Sequence, residues 1–343
     1  MVTLFFYLFL LSYNSWMIDS NRIFNIKTEA EFTSLALEVF QHQFEHNSVY
    51  RSFCDLLYKH PSDIKTIEDI PFLPIQFFKS HTILSASEND VKKIFTSSGT
   101  TGSITSKHRI IDLSIYENSF TKGFESVYSA TEDYVILALL PSYLERDGSS
   151  LIYMVDAMIK QSKHPDSGFY LDNLSDLSTI IKQLDAQGRK VLLIGVSFAL
   201  LDLVEAYTFN LNNTIIMETG GMKGRRKELI REELHTILKN GFGVTEIHSE
   251  YGMTELLSQA YSKGHGVFNC PNWMRILTRD PEDALSIQKT GKTGGINVID
   301  LANINSCSFI ATQDLGRVYT DNAFEIIGRF DTSDIRGCNL MVL

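Results

Sequence analysis

Cysteine is scarce in this 343-residue sequence, and none of its four cysteines belongs to a C-x-x-C pair. Closely spaced cysteine pairs are the usual signature of a zinc cluster, so the sequence argues against such a site. Four cysteines in a chain of this length are also too few for a disulfide scaffold. The cysteine content therefore favours a reducing, cytoplasmic location.

The chain also lacks a basic block. Its formal net charge is −10, and its densest run of basic residues is the short segment 223–227. Nucleic-acid-binding surfaces need clustered Lys and Arg to neutralise phosphates. We therefore expect no nucleic-acid partner.

The apolar stretch at residues 2–13 is too short to span a membrane as a helix. It has no Lys or Arg before it and no A-x-A site after it, so it does not match a signal peptide. We interpret residues 1–16 as a leader from a mis-called start codon, so that the folded protein begins near Met17. A membrane-associated N-terminal anchor is the alternative.

The middle of the chain alternates apolar strand patterns with amphipathic helix patterns, which predicts a parallel α/β sheet. The strand patterns lie at residues 134–140, 190–196, 214–219 and 246–250. They end in turns that contain Pro141, Ser197, Gly220 and Tyr251. Because ligands of such sheets bind at the carboxyl ends of the strands, we expect these turns to share one crevice.

Other helix and strand patterns flank this region. Helices are predicted at residues 29–46, 48–59, 113–129, 150–163, 174–187, 198–207 and 226–240. Beyond residue 266 the pattern changes to short strands at 274–278, 295–299, 308–312 and 323–327. These short strands predict an antiparallel, barrel-like lobe.

A hydroxyl-rich loop is the first candidate site. It reads Thr96-Ser97-Ser98-Gly99-Thr100-Thr101-Gly102 and lies between a predicted strand at 90–95 and the predicted helix at 113–129. Its glycines permit close backbone approach, and its hydroxyl and N–H donors suit a phosphate. The loop is not a Walker A motif, since it has no G-K-[ST] ending, and an ordinary surface loop is the alternative.

A second segment, Glu250-Tyr251-Gly252-Met253-Thr254-Glu255, lies about 150 residues later. Together the two segments resemble the adenylate-forming superfamily, whose members carry an [ST]-S-G-[ST]-T-G phosphate loop and a later Y-G-x-T-E signature. Three further matches follow in the family's order, namely Gly220-Gly221, Thr312-Gln313-Asp314-Leu315 and Gly328-Arg329-Phe330-Asp331.

Two departures narrow the resemblance. The family's Pro-Lys after the loop is absent, and the sequence ends 14 residues after Arg329, which leaves no room for the small C-terminal domain and its catalytic lysine. These features, with the segment around Arg336 and Cys338, resemble the acyl-protein synthetases, the synthetase subunits of bacterial fatty-acid reductase. Lys107, Lys223 and Arg225 are the candidates to offset phosphate charge in place of that lysine.

The resemblance implies an adenylate-forming large domain over residues 17–343, without the small C-terminal domain. Its α/β part is expected at about residues 17–265, with the β-rich lobe and terminal segment at about 266–343.

The resemblance also implies a role for each matched residue. The loop residues Thr96, Ser97, Ser98, Gly99, Thr100, Thr101 and Gly102 would hold the ATP phosphates. Gly220, Gly221, Tyr251 and Gly252 would lie beside adenine, and Asp314 and Arg329 beside the ribose. Thr254 would contact the α-phosphate, and Glu255 would help to hold Mg²⁺.

Each role has a structural alternative. Tyr251 can simply pack at the end of a strand, Asp314 can cap a turn before Gly316, and Arg329 can form a surface ion pair. Cys338, which the resemblance makes the acyl acceptor, can be a small apolar residue of a terminal segment. His248 is interpreted as a hydrogen-bonded polar residue at a strand end, without a catalytic role.

The expected activity is ATP-dependent activation of a carboxylic acid, expected to be a fatty acid, as acyl-AMP, with release of pyrophosphate and acyl transfer to Cys338. One alternative sends the acyl group to coenzyme A or to an acyl carrier protein. Another is a non-catalytic nucleotide-binding subunit. An acyl reductase is the protein partner that the resemblance implies.

Overall fold

The computed structural model describes residues 18–97, 104–141, 148–220 and 229–330. The predicted leader, residues 1–16, lies outside these ranges. The α-helices are α1 (Ser20–Phe24), α2 (Glu29–His46), α3 (Ser48–Leu56), α4 (Phe77–Ser80), α5 (Leu113–Val127), α6 (Ser150–Ser162), α7 (Leu174–Ala186), α8 (Ser197–Ala206) and α9 (Arg231–Phe242).

The strands follow the predicted pattern, with several short additions. They are β1 (Leu73–Pro74), β2 (Lys93–Thr96), β3 (Lys107–Ile110), β4 (Val135–Leu139), β5 (Gly168–Phe169), β6 (Val191–Gly195), β7 (Thr214–Thr219), β8 (His248–Tyr251), β9 (Ala260–Ser262), β10 (Val267–Phe268), β11 (Met274–Arg279), β12 (Thr293–Asp300), β13 (Phe309–Val318) and β14 (Phe324–Arg329).

Local sequence explains where the helices begin and end. At the start of α2, the Thr28 hydroxyl accepts from the Glu31 amide, and the Glu31 carboxylate accepts from the Thr28 amide. This reciprocal capping box satisfies amides that the first helical turn leaves unpaired. After α7 the chain turns through Gly188, whose φ of +71° is accessible to glycine at little cost.

The predicted parallel sheet is present. Its strand order is β5-β4-β6-β7-β8-β9, with all pairs parallel except β8 and β9. Every residue of β4 and β6 is buried, as expected for central strands that helices cover on both faces. The carboxyl ends of β6, β7 and β8 therefore lie side by side and carry Ser197, Gly220 and Tyr251 to one edge.

The predicted antiparallel lobe is also present, as a sheet in the order β10-β14-β13-β12-β11. Strand β1 pairs in parallel with the first half of β13, and β14 pairs with its second half. Among the described strands, β10 and β11 form the two edges and do not pair with each other. This arrangement makes β13 the central strand and places Asp314 opposite Arg329.

One strand was not predicted. Strand β3 lies between the hydroxyl-rich loop and α5, and it pairs antiparallel with β2. Strand β3 alternates exposed Lys107 with buried His108 and partly exposed Arg109 with buried Ile110. Because the buried His108 is polar, the sequence does not show the alternation of apolar and polar residues that identifies a strand.

No helix among the described residues has the length and apolar character needed to cross a bilayer.

We expect Gly241→Ala to lower the free energy of unfolding by about 1–3 kcal/mol, since it overpacks the contact between α9 and α8. A Cβ built on Gly241 lies 2.7 Å from Val204 Cγ1. Gly123→Ala in α5 is the matched control, because its Cβ meets nothing nearer than Trp273 Cζ2 at 3.9 Å. The control should be neutral or more stable, as alanine favours a helix. Urea midpoints in the opposite order would contradict this packing.

Candidate active site

Several predicted site residues lie outside the described ranges. They are Ser98, Gly99, Thr100, Thr101, Gly102, Gly221 and Cys338, with the candidate cations Lys223 and Arg225. The structure describes the others. Thr96 and Ser97 lie at the end of β2 in the β2–β3 hairpin, Gly220 follows β7, and Tyr251 ends β8 with Gly252, Thr254 and Glu255 after it. Asp314 lies in β13, and Arg329 ends β14.

The two ends of the hydroxyl-rich loop are held together by Ser97 and Ser106. The Ser97 amide donates to the Ser106 carbonyl oxygen at 3.1 Å, and the Ser106 amide donates to Ser97 Oγ at 2.9 Å. These bonds extend the β2–β3 pairing by one step, so the chain enters and leaves the loop at one fixed point.

Glu255 lies beside this point. Its side chain is buried, and the Ser106 hydroxyl favours the ionised form of its carboxylate. Burial raises the pKa of Glu255, and the Ser106 hydroxyl and the positive charges of Lys79 and Arg329 act in the opposite direction. The base of the loop therefore lies next to the end of the Y-G-x-T-E segment.

His108 makes a second link between the same two segments. Its Nδ1 lies 2.8 Å from the Thr254 carbonyl oxygen, and its Nε2 lies 3.0 Å from Ser306 Oγ. Burial lowers the pKa of His108 to about 4, so the ring is neutral at physiological pH. Because a carbonyl oxygen only accepts, Nδ1 carries the proton and Ser306 donates to Nε2.

Tyr251, Asp314 and Arg329 form a chain at the junction of the two sheets. The Tyr251 hydroxyl donates to Asp314 Oδ2 at 2.8 Å, and Arg329 Nε lies 3.3 Å from Asp314 Oδ1. Asp314 is 8% exposed, whereas the Arg329 side chain is 75% exposed. Burial raises the pKa of Asp314, and the bond from Tyr251 opposes that rise. Asp314 lies within β13 and does not cap a turn before Gly316.

The two described glycines of the site differ in what they require. Gly220 has a φ of +69°, and its carbonyl oxygen accepts from the Ser197 hydroxyl at 2.8 Å. Gly252 has no room for a side chain, because a Cβ there would overlap the Glu250 carboxylate. Glycine at 252 therefore lets the chain turn directly above a buried acidic side chain.

That buried carboxylate belongs to Glu250, at the end of β8. It accepts a short hydrogen bond from the Thr219 hydroxyl, and the charge of Glu218 on β7 also acts on it. Burial, with the like charge of Glu218, raises its pKa to about 7.

Two residues that sequence reasoning missed hold the segment after Thr254. The Asp300 carboxylate accepts from the Leu257 and Ser258 amides at 2.8 and 2.9 Å. Asn303 Nδ2 donates to the Glu255 carbonyl oxygen at 2.8 Å. The only sequence signal for them is the position of Asp300 at the end of a predicted strand. Ser106 and His108, also missed, lie within six residues of the predicted loop.

The three described cysteines are poor nucleophiles. Cys54 and Cys307 are buried and Cys270 is partly exposed. Burial raises the pKa of Cys54 and of Cys270 to about 12 and raises that of Cys307 as well. Since the thiolate is the reactive form, these three sulfurs are protonated at neutral pH.

His248 is hydrogen-bonded away from the candidate site, with its Nδ1 2.9 Å from the Tyr128 hydroxyl. Its interpretation as a residue without a catalytic role stays a prediction.

A family model described as "Acyl-protein synthetase, LuxE" matches residues 18–343. The chain is 23% identical over 339 residues to a long-chain-fatty-acid–luciferin-component ligase of Vibrio harveyi, covering 92% of this chain and 88% of that protein. It is 24% identical over 330 residues to a protein of the same name from Aliivibrio fischeri, covering 89% and 86%.

Solved structures with the same fold are adenylate-forming ligases. One is an open conformation of 2-hydroxyisobutyryl-CoA ligase in complex with 2-HIB-AMP and CoA, with a TM-score of 0.64 and 14% sequence identity. The matched region covers 89% of this chain and 70% of the ligase chain. An ATP-bound RpMatB-BxBclM chimera has a TM-score of 0.52 at 17% identity and covers 71% and 49%. The predicted fold class is thereby confirmed.

We expect His108→Phe to weaken ATP binding about tenfold or more. Phenylalanine keeps the ring but removes both hydrogen bonds, and a buried acceptor left unpaired costs about 1–3 kcal/mol. Calorimetric titration with ATP measures the change. His248→Phe is the matched control, because it also removes a histidine hydrogen bond but lies outside the site. Equal losses of ATP affinity in the two variants would contradict the role of His108.

We expect Glu250→Gln to stabilise the protein increasingly as the pH rises from 5 to 8. The carboxyl has a pKa of 4.5 in the unfolded chain and about 7 in the folded one, so the folded state holds the extra proton and wild-type stability declines across this window. Urea unfolding at each pH measures the difference between variant and wild type.

Glu246→Gln is the control for this pH series. Lys239 lowers the pKa of Glu246, so its carboxylate stays charged across the window and the variant's difference from wild type should be flat. A flat difference for Glu250→Gln as well would show that Glu250 does not titrate there.

Proposed function

Because the chain belongs to the acyl-protein synthetase family, LuxE, we propose that it activates a fatty acid as acyl-AMP and transfers the acyl group to its own Cys338. The family makes the chain a ligase of the adenylate-forming kind. The choice of acid, the acceptor thiol and the role of each site residue are the parts that we propose.

The observation that carries the proposal is the contact between the hydroxyl-rich hairpin and the segment from Tyr251 to Glu255. Ser106 reaches Glu255 and His108 reaches Thr254, although 149 and 146 residues separate the partners in sequence. Tyr251 and Asp314 extend the same site into the second sheet. The groups that we propose to bind phosphate, metal and ribose would thus surround one place, as a nucleotide requires.

The first step joins the acid to AMP. A carboxylate is a poor electrophile because oxide is a very poor leaving group, whereas an acyl phosphate releases a stable anion. In the proposed step a carboxylate oxygen of the acid attacks the α-phosphorus in line, the bond to the bridging oxygen breaks, and pyrophosphate leaves. Most of the catalysis is positioning and charge stabilisation, since the protein takes no part in bond formation.

The described residues suit the roles that the resemblance assigns. Thr96 and Ser97 lie at the entry to the loop that would hold the phosphates. Tyr251 would stack on adenine beside Gly220 and Gly252, and Asp314 would accept from the ribose hydroxyls.

The remaining residues of the site carry charge or lie beside the reacting phosphorus. Arg329 would add a donor at the ribose, and Thr254, which His108 fixes, would contact the α-phosphate.

Glu255 would hold Mg²⁺ together with phosphate oxygens. A single buried carboxylate beside a phosphate loop fits this ion, which keeps several waters and rarely has an all-protein cage. The bound ion would neutralise charge that develops on the phosphates.

Two observations support acyl transfer to Cys338. The other three cysteines are poor nucleophiles, and the chain that leads to Cys338 leaves β14 beside the site. The thiols of Cys54, Cys270 and Cys307 all have raised pKa values. The Phe330 amide donates to the Gln313 carbonyl oxygen at 2.7 Å, so the chain leaves β14 next to Asp314. Cys338 comes eight positions after Phe330, and an extended chain of that length reaches about 28 Å.

In the second step the Cys338 thiolate attacks the acyl carbon, the bond to the phosphate oxygen breaks, and AMP leaves. The product is a thioester, which remains activated for a further transfer. Arg336 would favour the thiolate by its charge.

The names of the relatives specify a long-chain fatty acid, and we adopt a fatty acid as the substrate on that basis. An acyl reductase is the proposed recipient of the acyl group. A reducing, cytoplasmic location is proposed on the cysteine content.

Coenzyme A is the second candidate acceptor, because a structural neighbour was solved with CoA bound. The carboxylates Glu255 and Asp314 at the junction favour an active ligase over a non-catalytic subunit, which would need neither.

We expect the protein to catalyse exchange of labelled pyrophosphate into ATP only when Mg²⁺ and a fatty acid are present. The exchange reports reversal of the first step and does not require the acceptor. A series of acids of increasing chain length measures the preference. Absence of exchange with every acid would contradict adenylate formation.

In the same assay, labelled fatty acid should become attached to the protein, and Cys338→Ala should abolish that label while exchange continues. Cys270→Ala is the matched control and should keep the label. Label retained by Cys338→Ala would overturn the acyl-cysteine step, and label appearing only on added coenzyme A would favour the second candidate.

A further inference from the structure

The active site of an adenylate-forming enzyme must offset the negative charges of the ATP phosphates. The motifs recognised in this sequence contain few positively charged residues. Arg329, which forms an ion pair with Asp314, is one of them. The sequence offered Lys107 as another. Lys107 is next to His108 in β3, and neighbouring side chains of a strand point to opposite faces. Since His108 faces Thr254, Lys107 faces away from the site and into solvent.

Lys79 is the cation that the structure does bring to the site. Among the positive charges that favour the ionised form of Glu255, Lys79 contributes more than Arg329. The positive charge of Lys79 therefore acts on the carboxylate that we assign to the metal. Its side chain is exposed, and no described carboxylate forms an ion pair with it.

The position of Lys79 is fixed by its neighbour. Phe78 is buried and meets the His108 ring edge-on, with 5.6 Å between ring centroids. His108 in turn holds the Thr254 carbonyl oxygen. Helix α4 is thus anchored one aromatic ring away from the Y-G-x-T-E segment, and Lys79 follows Phe78 directly. The short helix holds an exposed lysine at the edge of the site by means of a buried phenylalanine.

We propose that Lys79 is a catalytic residue that binds the phosphate chain of ATP and offsets the negative charge that accumulates as pyrophosphate leaves. This inference rests on the proposed function for its substrate. A lysine ammonium is a compact charge with three donors on a flexible stem, which suits a phosphate chain that changes position as the reaction proceeds. Glu255, with its metal, and Lys79 would then act on the phosphates from one side of the site.

The test compares Lys79→Ala, Lys79→Arg and the surface control Lys65→Ala in two measurements. The first is acid-dependent pyrophosphate exchange. We expect Lys79→Ala to lower its maximal rate about 100-fold, as for loss of one electrostatic contact to a transition state. Lys79→Arg should restore most of the rate, and Lys65→Ala should match the wild type.

The second measurement is calorimetric binding of ATP and of adenosine. Lys79→Ala should weaken binding of ATP while leaving adenosine binding unchanged, because only ATP carries the phosphates. Exchange within threefold of the wild type, or equal weakening of ATP and adenosine, would overturn the proposal. If the wild type itself exchanges no pyrophosphate, the proposed function fails, and the comparison of ATP with adenosine still decides the role of Lys79.

Discussion

The hydrogen bond from His108 to the Thr254 carbonyl oxygen joins two segments that lie far apart in the sequence. The β2–β3 hairpin belongs to neither of the large sheets, so side-chain links of this kind help to fix its orientation. His108 is well suited to this role because its ring is buried and neutral, which fixes one tautomer with one donor and one acceptor. Its two partners, at Thr254 and Ser306, come from different parts of the chain and hold the hairpin from two directions.

Other buried polar groups extend this link into a framework beneath the site. Asp300 and Asn303 hold the backbone that follows Thr254; Asp300 ends β12 and Asn303 follows it in the second lobe. Arg279, also buried, donates to the Ile296 and Thr312 carbonyl oxygens and lies over the Phe330 ring. Asp300 and Arg279 each have several partners, which is the condition under which buried polar networks rigidify a structure. The candidate site is therefore built where the two sheets share polar contacts.

Much of the fold follows from sequence patterns, because buried parallel strands and amphipathic helices have periods that a single sequence displays. The strands from Val135 to Leu139 and from Val191 to Gly195 are continuous apolar runs, and the capping box of α2 can be recognised in the sequence. Strand β3 cannot be recognised in this way, since its buried residue His108 is polar. The two-residue strands β1, β5 and β10 are too short to show any period.

The candidate site divides in the same manner. The residues that would contact the nucleotide belong to motifs that can be recognised in the sequence. The structure brings four of them together, namely Tyr251, Glu255, Asp314 and Arg329. The residues that support them do not belong to motifs, because a hydrogen bond between positions 108 and 254 has no local signature. Lys79 is an example, since its position near the site depends on the packing of Phe78 on His108, which the sequence does not reveal.

Charge at the site is distributed unequally between the interior and the surface, and this has a consequence for binding. Glu255 and Asp314 are buried and have raised pKa values, whereas Arg329 and Lys79 are exposed. A divalent ion favours the ionised form of any carboxylate that binds it, so a metal bound at the proposed site would lower the pKa of Glu255, which burial has raised. The phosphate chain would at the same time give the exposed cations a partner. Binding of metal, binding of nucleotide and ionisation of Glu255 would therefore be coupled, and the burial that raises the pKa of Glu255 would also strengthen its attraction for the metal.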